Sequence, residues 1–269
     1  MSFIFKITTT TSPQTFVIPC VAVGTFNATV DYGDGTGSQT VTAYNDANLT
    51  HSFATAGQHT ITIDGTFPNV RFYDNAASRV LVNEVVDLGD VGWTNLGYAF
   101  GNCTNLTAFN VGTADTSNVT NMARTFLNCS SLTSLGLSSF DTSSVNGMSH
   151  MFFGCASLTS LGLSSFDTSS VNDMSVMFGN CLNLTGLGLS SFDTSSVTNI
   201  QSMFANCLGL TSLNIKHFDV SNVTNGTNFL LNANNALTTT AYDELLEAWA
   251  AQDVQPNVAW HFGDAQYTV

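Results

Sequence analysis

The chain has 269 residues, of which 43% are hydrophobic, enough for a sizeable core, yet only 9% are charged where an ordinary domain carries roughly 25%. The formal charge is −14, and the five basic residues (Lys6, Arg71, Arg79, Arg124 and Lys216) are scattered along the sequence, so no run of cations can neutralise a row of phosphates. Nucleic acid and anionic membrane are poor partners on that ground, and no apolar run approaches the ~20 residues of a membrane span.

In chain order, the opening stretch 1–7 places Lys6 inside an apolar segment, Phe3, Phe5 and Ile7, and does not have the layout of a secretory leader. Taken as a natural start, it implies a protein that stays in its cell of synthesis or leaves by lysis or inside a particle. The run ending in Ile61 and Ile63 alternates as a strand does, and turn residues separate further short strands, so residues 1–72 are expected to form an antiparallel β-sandwich of immunoglobulin type. Asp31 and Asp34 form a carboxylate pair in one of its turns; turn geometry or a weak calcium site would each explain them. The glycine-rich 33–37 lacks the lysine and following helix of a phosphate loop. Asp31-Tyr32-Gly33-Asp34-Gly35-Thr36, followed by His51-Ser52-Phe53 and by 57–63, resembles the polycystic-kidney-disease (PKD) domain pattern. That resemblance implies an adhesive or spacer module.

Residues 73–90 read as a transition segment and 91–237 as a repeat array. Cys103, Cys129, Cys155, Cys181 and Cys207 recur every 26 residues, and Asp115, Asp141, Asp167, Asp193 and Asp219 keep the same step. Within a repeat, Leu132, Leu135 and Leu137 have strand-like spacing, while Val145, Met148, Met151, Phe152 and Cys155 are spaced for one stripe of a short helix. Strand, turn and helix are therefore predicted in each unit. The units would stack as a solenoid whose strands form a parallel sheet. The last unit, 228–237, loses its cysteine, and residues 238–269 read as a C-terminal cap built on a helix that presents Leu245, Leu246 and Trp249 to the interior.

The repeated F-D-T-S-x-V-x-x-M-x-x-M-F-x-x-C-x-x-L-x-x-L-x-L, seen in full at 140–163, closely resembles the BspA-like leucine-rich-repeat surface proteins of bacteria, mycoplasmas, some protists and bacteriophages. Residues 80–237 carry the resemblance; Ala114 and Val220 depart from it. It implies a leucine-rich-repeat fold and a role at an exposed surface. The fold class expected overall is an N-terminal all-β sandwich followed by an α/β solenoid with a helical cap.

The cysteines would have parallel Cβ vectors and contain no C-x-x-C pair, which favours buried free thiols over disulfides or metal. Cys20 is expected to be packed as well. Each repeat offers one aspartate, too few oxygens for calcium, so a turn-capping role with the serine two residues on is expected. Histidines 51, 59, 150, 217 and 261 have no metal-ligand spacing and no G-x-S-x-G elbow is present. No catalytic residue and no cofactor is assigned; an enzyme whose site converges from distant positions is the remote alternative.

A partner face is expected on the residues between the buried leucines: Ser134, Gly136 and Ser138; Ser160, Gly162 and Ser164; Gly186, Gly188 and Ser190; Ser212, Asn214 and Lys216. It lacks the Trp, Tyr and Arg anchors of tight interfaces. Weak contact with protein or glycan, amplified by multicopy display or homo-oligomerisation, fits such a face, as does an inert spacer. The expected function is a non-enzymatic attachment or decoration protein. A bacteriophage virion component (capsid decoration or fibre-like) comes first, with Phe3, Phe5 and Ile7 as its docking arm, and a bacterial or protist cell-surface adhesin is the alternative.

Overall fold

The alternation of Phe3, Phe5 and Ile7 with Ile4, Lys6 and Thr8 produces β1 (Phe3–Thr9), in which Phe3, Phe5 and Ile7 are fully buried. In this computed structural model, which describes residues 1–233 and 236–262, β1 is a central strand. It pairs antiparallel with β6 (Gly57–Thr66) on one side and β7 (Val82–Asp87) on the other. The strands between are β2 (Gln14–Val17), β3 (Asn27–Asp31), β4 (Gln39–Val41) and β5 (Thr50–Phe53). The repeats contribute β8 (Ala108–Asn110), β9 (Ser134–Gly136), β10 (Ser160–Leu161) and β11 (Gly186–Leu187).

These strands form one mixed seven-stranded sheet, β4-β3-β6-β1-β7-β8-β9, with β2-β5 and β10-β11 as small two-stranded sheets. The join is continuous. Val85 of β7 pairs with Phe5 and, in parallel, with Phe109 of the first repeat strand. Phe3 packs edge-on against Trp93, with ring centroids 5.2 Å apart, and lies 6.5 Å from Phe100, so the N-terminal strands and the repeats share one apolar interior.

This overturns the expected fold class. The chain is mostly β, with a sheet that runs on from the N-terminal strands into the repeats, and it is not a sandwich followed by an α/β leucine-rich-repeat solenoid with a helical cap. Only two α-helices occur among the described residues, α1 (Ala76–Arg79) and α2 (Thr239–Ala250), and neither lies in the repeats. The docking arm fails for the same reason: Phe3, Phe5 and Ile7 are in mid-sheet with no accessible surface. Asn234 and Asn235 of the last repeat, and residues 263–269 of the expected cap, lie outside the described residues.

The predicted helical stripe is a run of turns. Its backbone N–H groups point in two directions: those of Met148, His150, Phe152 and Gly154 donate to carbonyls of the next repeat, at Asp173, Ser175, Met177 and Gly179. Those of Met151, Phe153 and Cys155 close turns on the residues three before them. The alternation requires two left-handed residues per repeat, as at His150 (φ 57°) and Gly154 (φ 71°), Val176 and Asn180, Ser202 and Asn206. Beyond its first turn an α-helix donates each N–H to the carbonyl four residues back, and it has no such residues in its interior. The apolar spacing is met equally well by turns, and it leads to the same buried Met148, Met151, Phe152 and Cys155.

One of these left-handed positions carries measurable strain. A β-branched residue at positive φ is disfavoured by roughly 1–2 kcal/mol, and Val176 sits at φ 57° where the equivalent Asn228 has φ 58°. Replacing Val176 with Asn is expected to stabilise the protein by about 0.5–1 kcal/mol, part of the gain being offset by lost apolar burial. The measurement is the urea unfolding midpoint; an unchanged or lower midpoint would count against the strain.

Candidate functional site

The repeated aspartates sit at turns. Each accepts two hydrogen bonds on Oδ1 from the serine two residues on: Asp141 from the Ser143 N–H (3.0 Å) and hydroxyl (2.6 Å), with the same pair at Asp115, Asp167, Asp193 and Asp219. The serine hydroxyls and then their N–H groups hold the carboxyls of Asp115, Asp167 and Asp193 below their ordinary range. The threonine between them, buried at 116, 142, 168 and 194, reaches the next repeat. Thr142 donates its hydroxyl to the Asp167 carbonyl (2.8 Å) and accepts from the Asp167 N–H (2.8 Å). Sequence reasoning passed over these threonines, although their 26-residue step was visible. Val220 takes the place of a fifth because no further aspartate turn follows; there Gln252 accepts from the Val220 N–H and donates to the Phe218 carbonyl.

The cysteines are free. Cys103, Cys129, Cys155, Cys181 and Cys207 are fully buried, and the last four donate their thiol hydrogens to Phe100, Phe126, Phe152 and Phe178 carbonyls at 3.1 Å. Burial pushes all five thiols up, Cys207 to about 12. A thiol that holds its proton this firmly is a poor nucleophile and a poor metal ligand.

Asp31 and Asp34 divide. Asp31 accepts from the Gly33 N–H at 2.8 Å, a turn bond. Asp34 accepts from the Thr36 N–H and hydroxyl and meets His51 Nε2 at 2.7 Å. Burial acts to raise the Asp34 carboxyl, but the Thr36 and His51 hydrogen bonds outweigh it and bring it to about 2. His51 stacks on Tyr32 with centroids 4.3 Å apart and meets Phe53 edge-on, so the pair braces a loop against the aromatic core. No group of three or more His, Cys, Asp or Glu able to hold a metal occurs among the described residues.

Of the expected partner face, Ser134, Ser138, Ser160, Gly162, Ser164, Gly188, Ser190, Ser212, Asn214 and Lys216 are exposed, while Gly136 and Gly186 are half-buried. The face is not uniform along its length. At its last repeat, α2 rises beside it and closes a cleft of about 360 Å³, lined by Ser212, Asn214 and Lys216 with Leu187, Glu244 and Leu245 among its other walls. Lys216 Nζ meets Glu244 Oε2 at 3.2 Å. The volume is at the lower end of the ~300–1,000 Å³ of small-molecule sites. An apolar floor, hydroxyl and amide walls and one ion pair suit a small polar group. The cleft was not legible in the sequence, because it depends on where α2 packs, through Leu245 and Trp249.

Two further placements matter. The expectation that the cations are scattered does not hold in space, because Arg71 and Arg124 both lie over the Tyr98 ring. No helix among the described residues is long and apolar enough to cross a membrane.

No curated protein and no solved structure matches the chain. A family model described as "Mycoplasma protein of unknown function, DUF285" matches twice, over residues 94–186 and 159–267. The two matches overlap and together take in all five aspartate turns, the cleft and α2. With well over half its length covered by that model, the chain belongs to the DUF285 family of Mycoplasma proteins.

Proposed function

We propose that the protein is a non-enzymatic recognition and display protein of an exposed surface, engaging a protein or glycan partner weakly and in many copies. Membership of the family is consistent with a surface-type protein. The observation that carries the non-enzymatic reading is the engagement of the repeated reactive groups. Five aspartates accept turn hydrogen bonds and four thiols donate to backbone carbonyls, so the groups present in most copies are held in structural roles. The exposed strip of Ser, Gly and Asn offers hydrogen bonds without large anchors, and low affinity per copy is the expected result. The cleft beside α2 adds a deep point to the end of that face.

Two carriers fit this reading. The first is a virion, with the protein as a capsid-decoration or fibre-like component. The second is a cell surface, with the protein as an adhesin, which the family's description as a Mycoplasma protein favours. Immunogold labelling of intact, unpermeabilised cells and purified particles distinguishes them: gold on the outside of either supports surface display and identifies the carrier. Labelling that appears only after permeabilisation would refute it.

A further inference from the structure

The chain has three arginines, and all three converge on two tyrosines. The Arg71 and Arg124 guanidinium carbons lie 4.7 and 5.2 Å from the Tyr98 ring centroid, Arg79 lies 5.9 Å from the Tyr73 ring, and the two rings are 4.9 Å apart. The geometry follows from the repeat. Tyr98, Arg124 and His150 occupy one left-handed column at successive 26-residue steps, with φ 61°, 61° and 57°, so their side chains emerge side by side. Arg71 and Tyr73 arrive from the segment before α1, where the Phe72 N–H donates to the Ala99 carbonyl.

The charges of this cluster are only partly matched. Arg71 meets Asp74 at 3.1 Å, and Arg79 donates from Nη1 to the Tyr73 carbonyl at 2.8 Å. Arg124 has no ion pair and no side-chain hydrogen bond among the described residues, in a chain with 19 acidic side chains. The three arginines and two tyrosines are half-buried, so the guanidinium planes are held against rings and little order remains to be imposed on binding. Neighbouring positive charge also acts on His150: burial, then Arg124, pushes its pKa down, against Asp173.

The surrounding field narrows the ligand. A polyanion brings many charges within the ~8 Å screening length of a molecule of net charge −14 and is repelled there, whereas one carboxylate can reach a local cationic spot. A guanidinium matches a planar carboxylate through two parallel N–H donors. The phenol rings add apolar faces, and their hydroxyls are not hydrogen-bonded within the described chain. We infer that Arg71, Arg124, Tyr73 and Tyr98 form a second binding site, for a sugar bearing a single carboxylate, such as a uronic or sialic acid at the end of a glycan. The site is separate from the cleft beside α2 and does not depend on it.

Calorimetric titration of the full chain at low salt with sodium glucuronate, glucose and sodium acetate tests this. Glucuronate is expected to bind about tenfold or more tightly than either of the others. Arg124→Gln and Arg124→Lys should both lose that preference, the second because it keeps the charge but not the fork. Tyr98→Phe, which keeps the ring, should weaken binding severalfold and leave the acid-sugar preference in place. Equal binding of glucose and glucuronate overturns the proposal, as does equal binding of acetate, which would reduce the cluster to a simple anion spot. Full preference in Arg124→Lys, with thermal unfolding unchanged, overturns the role of the fork.

Discussion

Raising the pH to about 10 in the presence of a reductant is expected to unfold the protein. The five cysteines of the repeats keep their protons in the folded state because burial disfavours the thiolate. In the unfolded chain the same thiols ionise from about pH 8.5. Above that pH the folded state binds more protons than the unfolded state, so stability is intact below it and falls as pH rises. Each thiol contributes roughly 1.4 kcal/mol per pH unit, and five acting together contribute on the order of 7 kcal/mol per unit. A total stability of about 5–15 kcal/mol cannot survive far into that window. Burial also raises the Tyr32 phenol, which adds to the loss at the upper end.

The measurement is far-UV circular dichroism against pH, with urea midpoints at each pH. Replacing Cys155 and Cys181 by Ser leaves a hydroxyl that can still donate to the Phe126 and Phe152 carbonyls. That double variant is expected to lose about two-fifths of the pH slope. A stability that stays constant between pH 8 and 11 would show that the thiols are not held protonated.

The second large effect concerns the phenylalanine file. Phe126, Phe152, Phe178 and Phe204 stack from repeat to repeat, with centroids 5.7, 5.8 and 5.5 Å apart and planes within 10° of parallel. Phe152 is fully buried and has a ring on both sides. Phe152→Ala is expected to cost about 3–5 kcal/mol through lost burial and the cavity left between two rings. The adjoining Phe153 is half-buried, so Phe153→Ala should cost well under half as much. Similar losses for the two variants in urea unfolding would mean that the file is not a distinct source of stability.

Much of the local structure was legible because it is set by neighbours in sequence. The Asp–Ser turns, the alternation of β6 and the helix at 239–250 each depend on residues within a few positions of one another. The 26-residue period correctly groups residues that meet, including the buried cysteines. The period does not say what backbone path connects them. Tyr98, Arg124, His150, Val176 and Ser202 adopt left-handed geometry that none of these side chains advertises, so the apolar stripe was read as a helix. Long-range pairing was equally invisible: nothing in 3–9 or 82–87 indicates that Phe5 and Val85 are opposite one another, and the sheet was therefore divided where it is continuous. The arginine cluster lay between these extremes. Tyr98, Arg124 and His150 could have been grouped by the repeat step, but Arg71 and Arg79 join them only through the packing of the segment around α1.

The position of β1 between β6 and β7 has a mechanical consequence. A tether attached at residue 1 and pulled along the strand would load seven residues in shear against β6 and four against β7, with hydrogen bonds perpendicular to the force. Such bonds resist together and yield together, so a tethered molecule would bear tension with little extension and then release abruptly, carrying the first repeats with it.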